Sequence, residues 1–162
     1  MRVIAIDWSG DARNARQHIW LAEASGQGKL VRLEAGRDRQ ELADHLAALA
    51  TREEVVVGFD FAFSFPRWFL CRLGVRTGPE LWAHVAQHGE GWLAACEPPF
   101  WGRPGRTRPP RVLPALRMTD LAVPRTGGVA PKSIFQIGGA GAVGTGSIRG
   151  MPLLHRLQAA GA

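Results

Sequence analysis

The sequence predicts one α/β domain over residues 1–162, with a mixed central sheet flanked by helices. Short segments rich in Val and Ile alternate with a segment of helical periodicity, and the first 60 residues read strand–strand–strand–helix–strand. Hydrophobic residues make up 46% of the chain and charged residues 21%, as in ordinary globular domains. No apolar stretch approaches the roughly 20 residues that a membrane span needs, so we expect no membrane contact. No secretion signal is visible and the two cysteines lack metal-like spacing, so we expect the reduced, cytoplasmic compartment.

Three strands are predicted before residue 35. Residues 3–6 form a short β-branched run that ends at Asp7 and is followed by a turn-forming Ser-Gly pair. Residues 17–24 form a second apolar segment, and residues 29–34 alternate polar and apolar side chains, as in a half-exposed strand. Because a turn over residues 25–28 separates these two segments, the three strands suit an antiparallel meander.

A helix and a fourth strand follow the meander. Asp38 and Glu41 have the spacing of a capping box. Three leucines then fall on one helical face: Leu42, Leu46 and Leu49. Residues 55–59 are apolar without alternation, which is typical of a central strand covered on both faces, and this strand ends at Asp60.

The second half of the chain is less regular. Residues 66–95 are predicted as two helices, and residues 97–131, rich in proline and arginine, as a long basic insertion. Residues 133–137 suit either a short strand or a helix. A glycine-rich run over residues 138–150 precedes a predicted final helix over residues 152–160.

The net charge of +6 is unevenly distributed. Residues 1–96 hold 11 basic and 12 acidic residues, for a charge of −1, whereas residues 97–162 hold 9 basic and 2 acidic residues, for a charge of +7. This field favours an anionic partner such as nucleic acid or a phosphorylated small molecule. Compositional bias is the alternative, since 18 of the 20 basic residues are arginine, but it does not explain the loss of acidic residues after Glu97.

Candidate contacts to nucleic acid lie mainly in the basic insertion. Phe100 and Trp101 directly precede a segment with four guanidinium groups, and arginines beside aromatic side chains suit phosphate contacts and base stacking. A solubilising loop is the alternative. The candidate nucleic-acid-binding residues are Arg103, Arg106, Arg108, Arg111, Arg117 and Gln136.

Two aspartates are the strongest candidates for a catalytic site. Asp7 and Asp60 end two strands that the predicted topology places side by side, so their carboxylates meet at one edge of the sheet. Because like charges repel at short range, such a pair needs a bound cation, and Mg²⁺ or Mn²⁺ prefers these oxygen ligands. The alternative is that each aspartate caps a turn.

Several segments resemble the signatures of a known family. Residues 4–10, 58–66, 117–120 and 131–146 are similar to those of the predicted nucleases known as domain of unknown function 429, in the ribonuclease H-like superfamily. The resemblance spans nearly the whole chain, and the Lys-Ser-Ile-Phe-Gln block with its following glycines is its distinctive part. It implies a ribonuclease H-like fold and a metal-dependent nuclease that hydrolyses phosphodiester bonds in nucleic acid.

The candidate catalytic residues follow from these observations. Asp7 and Asp60 are expected to hold Mg²⁺ or Mn²⁺. Members of the family continue with a further strand that carries an acidic motif, so we expect either a truncated chain that lacks this C-terminal strand or a fold that finishes differently. Asp120 is the candidate to replace the third carboxylate, or else a surface acid that offsets nearby arginines. Lys132 could bind phosphate or stabilise developing charge, or be a solvated loop residue, and Gln136 could orient it or cap local backbone.

Three other functions fit parts of the sequence. A non-catalytic nucleic-acid-binding module would keep the scaffold and the basic loop. Residues 7–10 also resemble the phosphate loop of sugar kinases and actin-like ATPases, but 162 residues leave no room for their second lobe. Residues 139–144 match the dinucleotide-binding glycine pattern, but Gly146 and Gly150 argue against a helix directly after it, and 18 remaining residues leave no room for its second strand.

Overall fold

The computed structural model describes residues 1–110, 113–124, 128 and 130–162. In these residues the chain has an α/β fold with a four-stranded mixed sheet and six helices, so the predicted class is confirmed. The elements are β1 (Arg2–Asp7), α1 (Ala15–His18), β2 (Trp20–Ala24), β3 (Leu30–Ala35), α2 (Arg39–Ala50), β4 (Val55–Phe59), α3 (Arg67–Leu73), α4 (Gly78–Ala95), α5 (Met118–Ala122) and α6 (Gly144–Ala159).

The sheet has the strand order β3-β2-β1-β4. β1 pairs with β2 and β2 with β3 in antiparallel fashion, which confirms the meander, and β4 returns through α2 to lie parallel to β1. The predicted second strand was too long at its start, because Gln17 and His18 belong to the short α1. The capping box at α2 is confirmed: Asp38 accepts the backbone N–H of Glu41 at 3.0 Å and Glu41 accepts that of Asp38 at 3.0 Å.

Among the residues that the structure describes, helices cover only one face of the sheet. Ile4, Ile6 and Leu21 are buried against this helical layer. On the opposite face the apolar side chains are open, as Val56 is 50% exposed and Leu33 59% exposed. The expectation that residues 55–59 form a central strand covered on both faces is therefore wrong, and so is the half-burial expected of residues 29–34. An alternating pattern such as that of residues 29–34 predicts which side chains share a face of the sheet, but it does not predict which face the helices cover.

The buried side chains form two clusters. One lies between the sheet, α1, α2 and the end of α6, and the other lies among α3, α4, the first half of α6 and the segments that follow α4. α6 contributes Ile148 and Met151 to the second cluster and Leu153 and Leu154 to the first. This helix therefore joins the two halves of the core.

Close packing explains why α6 begins at Gly144, eight residues before the predicted start. A Cβ on Gly144 would lie 2.1 Å from the carbonyl oxygen of Ile134, and one on Gly150 would lie 2.5 Å from the ring of Phe61. These glycines let neighbouring groups approach the helix, which outweighs their low helix propensity. A helix does therefore follow the glycine pattern at residues 139–144, contrary to expectation. No strand leads directly into this pattern in the described chain, since residues 133–137 form a turn with one isolated bridge to Trp101.

The helices over residues 66–95 are confirmed as α3 and α4, and the basic insertion contains the short α5. Among the described residues, none of the helices combines the length and the apolarity that a membrane crossing requires.

Candidate metal and nucleic-acid site

Asp7 and Asp60 stand next to each other at the carboxyl ends of β1 and β4. The parallel register pairs Ala5 with Gly58 and Ile6 with Phe59, so the two aspartates are the following residues on neighbouring strands, whose usual spacing is roughly 4.8 Å. Both residues are exposed. The structure thus places the two aspartates at adjacent positions of one sheet edge, where an approaching ligand can reach them.

Trp8 fixes the position of Asp60. Its backbone N–H donates to Asp60 Oδ1 at 2.8 Å, and its indole N–H donates to the carbonyl of Gly146 at 2.9 Å. The indole also packs on Phe61 with a centroid distance of 5.1 Å. The loops that follow β1 and β4 are thereby tied to each other and to the first turn of α6.

Asp60, Asp120 and Lys132 line one open cavity of about 470 Å³. α5, which carries Asp120, and the segment that carries Lys132 both line this space beside the end of β4, so three of the four predicted catalytic residues share it. Asp7 is not in its lining; it lies on the open face of the sheet beside Trp20 and Ala22. The two carboxylates therefore stand at the boundary between the cavity and the bare sheet.

Asp120 forms an ion pair with Arg117. Its carboxylate accepts the backbone N–H of Arg117 at 2.8 Å and the Nε–H of the same arginine at 3.0 Å. Partial burial acts to raise the pKa of Asp120, but the hydrogen bonds and the charge of Arg117 outweigh it and hold that pKa below its ordinary value. In this structure Arg117 and Asp120 therefore neutralise each other at the edge of the cavity, and their predicted roles toward nucleic acid and metal stay predictions.

Gln136 and Lys132 border the glycine-rich segment. The Gln136 side-chain amide donates to the carbonyl of Ala140 at 3.2 Å and, more weakly, to that of Gly138 at 3.4 Å. Gln136 therefore caps local backbone, which is one of the two roles considered for it. Lys132 is exposed, and its stem runs so close to Gly141 that a Cβ there would lie 3.2 Å from the lysine Cε. The aliphatic stem is supported while the ammonium group faces solvent.

The arginine segment forms a separate basic surface. Arg103, Arg106 and Arg108 are exposed, and the Arg108 guanidinium lies 5.3 Å from the ring centroid of Trp101. A tight turn holds the segment, because the N–H of Arg106 donates to the carbonyl of Arg103 at 2.8 Å. None of these three arginines lines the cavity of Asp60. Arg111, the fourth candidate of the segment, lies outside the described residues.

Sequence reasoning missed a second charged cavity on the helical side of the sheet. It is larger, about 530 Å³, and its lining includes Arg39, Glu90 and Arg149 from three different helices. Arg149 and Arg156 are seven residues apart and share a face of α6. The sequence indicates this shared face only if the helix is known to begin before residue 149.

A cluster of three or more His, Cys, Asp or Glu side chains suited to a metal is absent from residues 1–110, 113–124, 128 and 130–162. The candidate metal site therefore rests on the pair Asp7 and Asp60. Comparison with known proteins does not assign the site: no protein-family model matches the chain, no curated protein matches it, and no solved structure does.

Proposed function

We propose that the protein is a metal-dependent nuclease on a ribonuclease H-like scaffold, which hydrolyses phosphodiester bonds in nucleic acid. The observation that carries the proposal is the parallel register of β1 and β4, which sets Asp7 beside Asp60. Two adjacent carboxylates at an exposed strand end repel each other unless a cation neutralises them. The +7 charge of residues 97–162 supports a polyanionic substrate.

The donor set fits Mg²⁺ or Mn²⁺. Both ions take carboxylate oxygens, and Mg²⁺ usually keeps several waters and needs only one or two carboxylates from the protein. Asp7 and Asp60 would supply these carboxylates, since Asp120 is held by Arg117. When bound, the ion supplies Lewis-acid chemistry: it polarises a phosphodiester and activates water.

The chain's own groups orient the substrate. The N–H of Trp8 holds one oxygen of Asp60 in place, so the carboxylate is preorganised before a ligand arrives. Lys132 shares the cavity of Asp60 and would place a positive charge near the phosphate as its negative charge increases. The exposed Arg103, Arg106 and Arg108 would hold the sugar-phosphate backbone outside the cavity.

Turnover with Mn²⁺ on single-stranded, duplex and branched substrates tests the proposal, with Asp7→Asn as the test variant and Asp44→Asn as the matched control. Asp44 is an exposed aspartate on α2, away from the strand ends. We expect Asp7→Asn to lower cleavage by at least about 100-fold, as removal of a metal ligand does, and Asp44→Asn to cleave like the wild type. Calorimetric titration with Mn²⁺ alone should show binding to the wild type and to Asp44→Asn but not to Asp7→Asn. Equal cleavage by all three proteins would refute the proposal.

A non-catalytic nucleic-acid-binding module is the second candidate. The observation that favours it is the ion pair between Asp120 and Arg117, which leaves the Asp7–Asp60 pair without a third carboxylate. Nucleic-acid binding that falls steeply with salt, persists in EDTA and is accompanied by no cleavage would select this function over the nuclease.

A further inference from the structure

The cavity on the helical side of the sheet is built from parts distant in the sequence. Its walls come from residues 12–16, from the start of α2, from the middle of α4 and from α6. It shares no lining residue with the cavity of Asp60 and Lys132. Its volume of about 530 Å³ lies within the range of small-molecule sites.

Positive charge dominates this cavity. Five arginines line it against two acidic residues: Arg13, Arg16, Arg39, Arg149 and Arg156 against Asp38 and Glu90. Two of these arginines are neutralised, since Arg16 lies 3.2 Å from Asp38 and Arg149 binds Glu90 at 2.7 and 2.9 Å. In the described part of the chain, no carboxylate lies within ion-pair distance of the other three, so the lining keeps a net charge of +3.

Arg39 is the half-buried part of this charge. Its Nη2 donates to the carbonyls of Ser9 at 2.6 Å and Asp11 at 2.7 Å, and its guanidinium lies 5.4 Å from the ring centroid of Trp8. Its Nε is buried and has no hydrogen-bond partner among the residues that the structure describes. Burial lowers the pKa of Arg39, and the nearby charge of Arg149 lowers it further. An anion in the cavity would relieve both the desolvation and the repulsion.

The acids around the cavity are already engaged. Glu90 is bound in bidentate fashion by Arg149, which lowers the pKa of this carboxyl, and the charges of Arg39 and Arg103 act in the same direction. Asp11 has a pKa of about 2, because its carboxylate accepts the backbone N–H groups of Asn14 and Arg13. Both carboxylates therefore stay charged at neutral pH and hold the loop and the helix, while the surplus arginines face the cavity.

Apolar groups complete the lining. Val85 and Ala86 of α4 and Ile148, Pro152 and Leu153 of α6 form a wall beside the guanidinium groups. Val85, Ile148 and Leu153 are at most 2% exposed, so the apolar surface open to a ligand comes mainly from Ala86 and Pro152. Guanidinium groups beside such a surface match an organic molecule that carries a phosphate, because arginine binds phosphate oxygens in bidentate fashion and the apolar groups can pack against the carbon skeleton.

We propose that this cavity binds the phosphate of a small phosphorylated metabolite, at a site separate from Asp7 and Asp60. Arg13, Arg39 and Arg156 bind the phosphate, and the wall formed by α4 and α6 contacts the rest of the molecule. A terminal phosphate of a nucleic acid has the same chemistry, but the volume of about 530 Å³ and the apolar groups in the lining favour the small ligand.

Calorimetric titrations in EDTA test this site independently of any metal-dependent activity. The probes are inorganic phosphate, adenosine 5′-monophosphate, glucose 6-phosphate and a 5′-phosphorylated oligonucleotide, with adenosine and glucose as the uncharged counterparts of the two metabolites. We expect at least one of the phosphorylated probes to bind and its uncharged counterpart to bind at least about tenfold more weakly, since hydrogen bonds to charged groups are the strong ones.

Arg13→Gln and Arg156→Gln are the test variants, because both side chains are exposed and no side-chain hydrogen bond of theirs holds the described fold. Each should weaken binding about tenfold without a change in melting temperature. Arg52→Gln, an exposed arginine beyond the other end of α2, is the matched control and should bind like the wild type. Asp7→Asn should also bind normally, so a failed nuclease assay does not bear on this site.

Three results would overturn the proposal: no phosphorylated probe binds at millimolar concentration, the Arg13 and Arg156 variants bind like the wild type, or binding is confined to a 5′-phosphorylated oligonucleotide. The last result would make the cavity part of a nucleic-acid-binding surface.

Discussion

Two glycines that face each other across one contact should respond in opposite ways to the same substitution. Gly10 lies in the loop after β1, and Gly146 lies in the first turn of α6. A Cβ on Gly10 would lie 2.7 Å from the backbone nitrogen of Gly146, and backbone atoms of a helix cannot move aside as a flexible side chain can. A Cβ on Gly146 would meet only Trp8 Cδ1, at an ordinary contact distance of 3.7 Å.

The magnitudes follow from these distances. Gly10→Ala forces the loop and the helix apart and should lower the free energy of unfolding by about 1–3 kcal/mol, the usual cost of overpacking. Gly146→Ala keeps the contact and restricts the unfolded chain, so it should raise the free energy of unfolding by about 0.5–1 kcal/mol. In a domain of this size these changes correspond to a fall in melting temperature of about 2–12 °C and a rise of about 1–4 °C.

Urea denaturation followed by tryptophan fluorescence measures both values. Trp8, one of six tryptophans in the chain, contributes to this signal, and its indole donates to the carbonyl of Gly146. A neutral Gly10→Ala, or a Gly146→Ala that destabilises as strongly as Gly10→Ala, would show that the loop and α6 are not held at this distance.

Two further predictions concern stability. Asp38→Ala removes the carboxylate that accepts the N–H of Glu41 at the start of α2, and should lower the free energy of unfolding by about 1 kcal/mol in thermal or urea denaturation, whereas Asp38→Asn should retain most of it. Asp120 has a lowered pKa in the folded state, so its ion pair with Arg117 raises the free energy of unfolding at pH values above the ordinary aspartate pKa of about 3.9. This contribution disappears as the pH falls through the lowered pKa. The difference in unfolding free energy between wild type and Asp120→Asn should therefore shrink on acidification from neutral pH, and a pH-independent difference would contradict this assignment.

Local sequence patterns predicted the elements of the first 60 residues well, because each pattern has a local physical cause. The capping box at Asp38 and the β-branched runs of β1 and β4 involve only neighbours in the chain. Burial was harder to predict. Leu33 and Val56 are exposed because helices cover only the opposite face, and this depends on where α6 packs. The early start of α6 was missed because Gly144 is required by a backbone contact with Ile134, which no local rule contains.

In the candidate site, too, the features that depend on local pattern or strand order were predictable, and those that depend on helix packing were not. The proximity of Asp7 and Asp60 follows from strand order alone, so the sequence predicts it. The sequence displays the spacing of three residues between Asp120 and Arg117, but only the structure shows that the two side chains form an ion pair. The meeting of Arg39 with Arg149 depends on the packing of α2 and α6, which are more than 90 residues apart, and no motif predicts it.

The position of α6 in the chain has a consequence for biosynthesis. The hydrogen bond from Trp8 to Gly146 spans 138 residues, and α6 ends at Ala159, a hundred residues after β4 ends at Phe59. At usual translation rates the ribosome needs about 5–20 s to add those residues. During this time α2 can cover part of the face that holds Ile4 and Ile6, but Leu153 and Leu154 of α6 are still missing from that cluster, and the opposite face of the sheet is bare. Chaperone binding during synthesis should therefore be concentrated on the strands of the amino-terminal third and end only after α6 has left the ribosome.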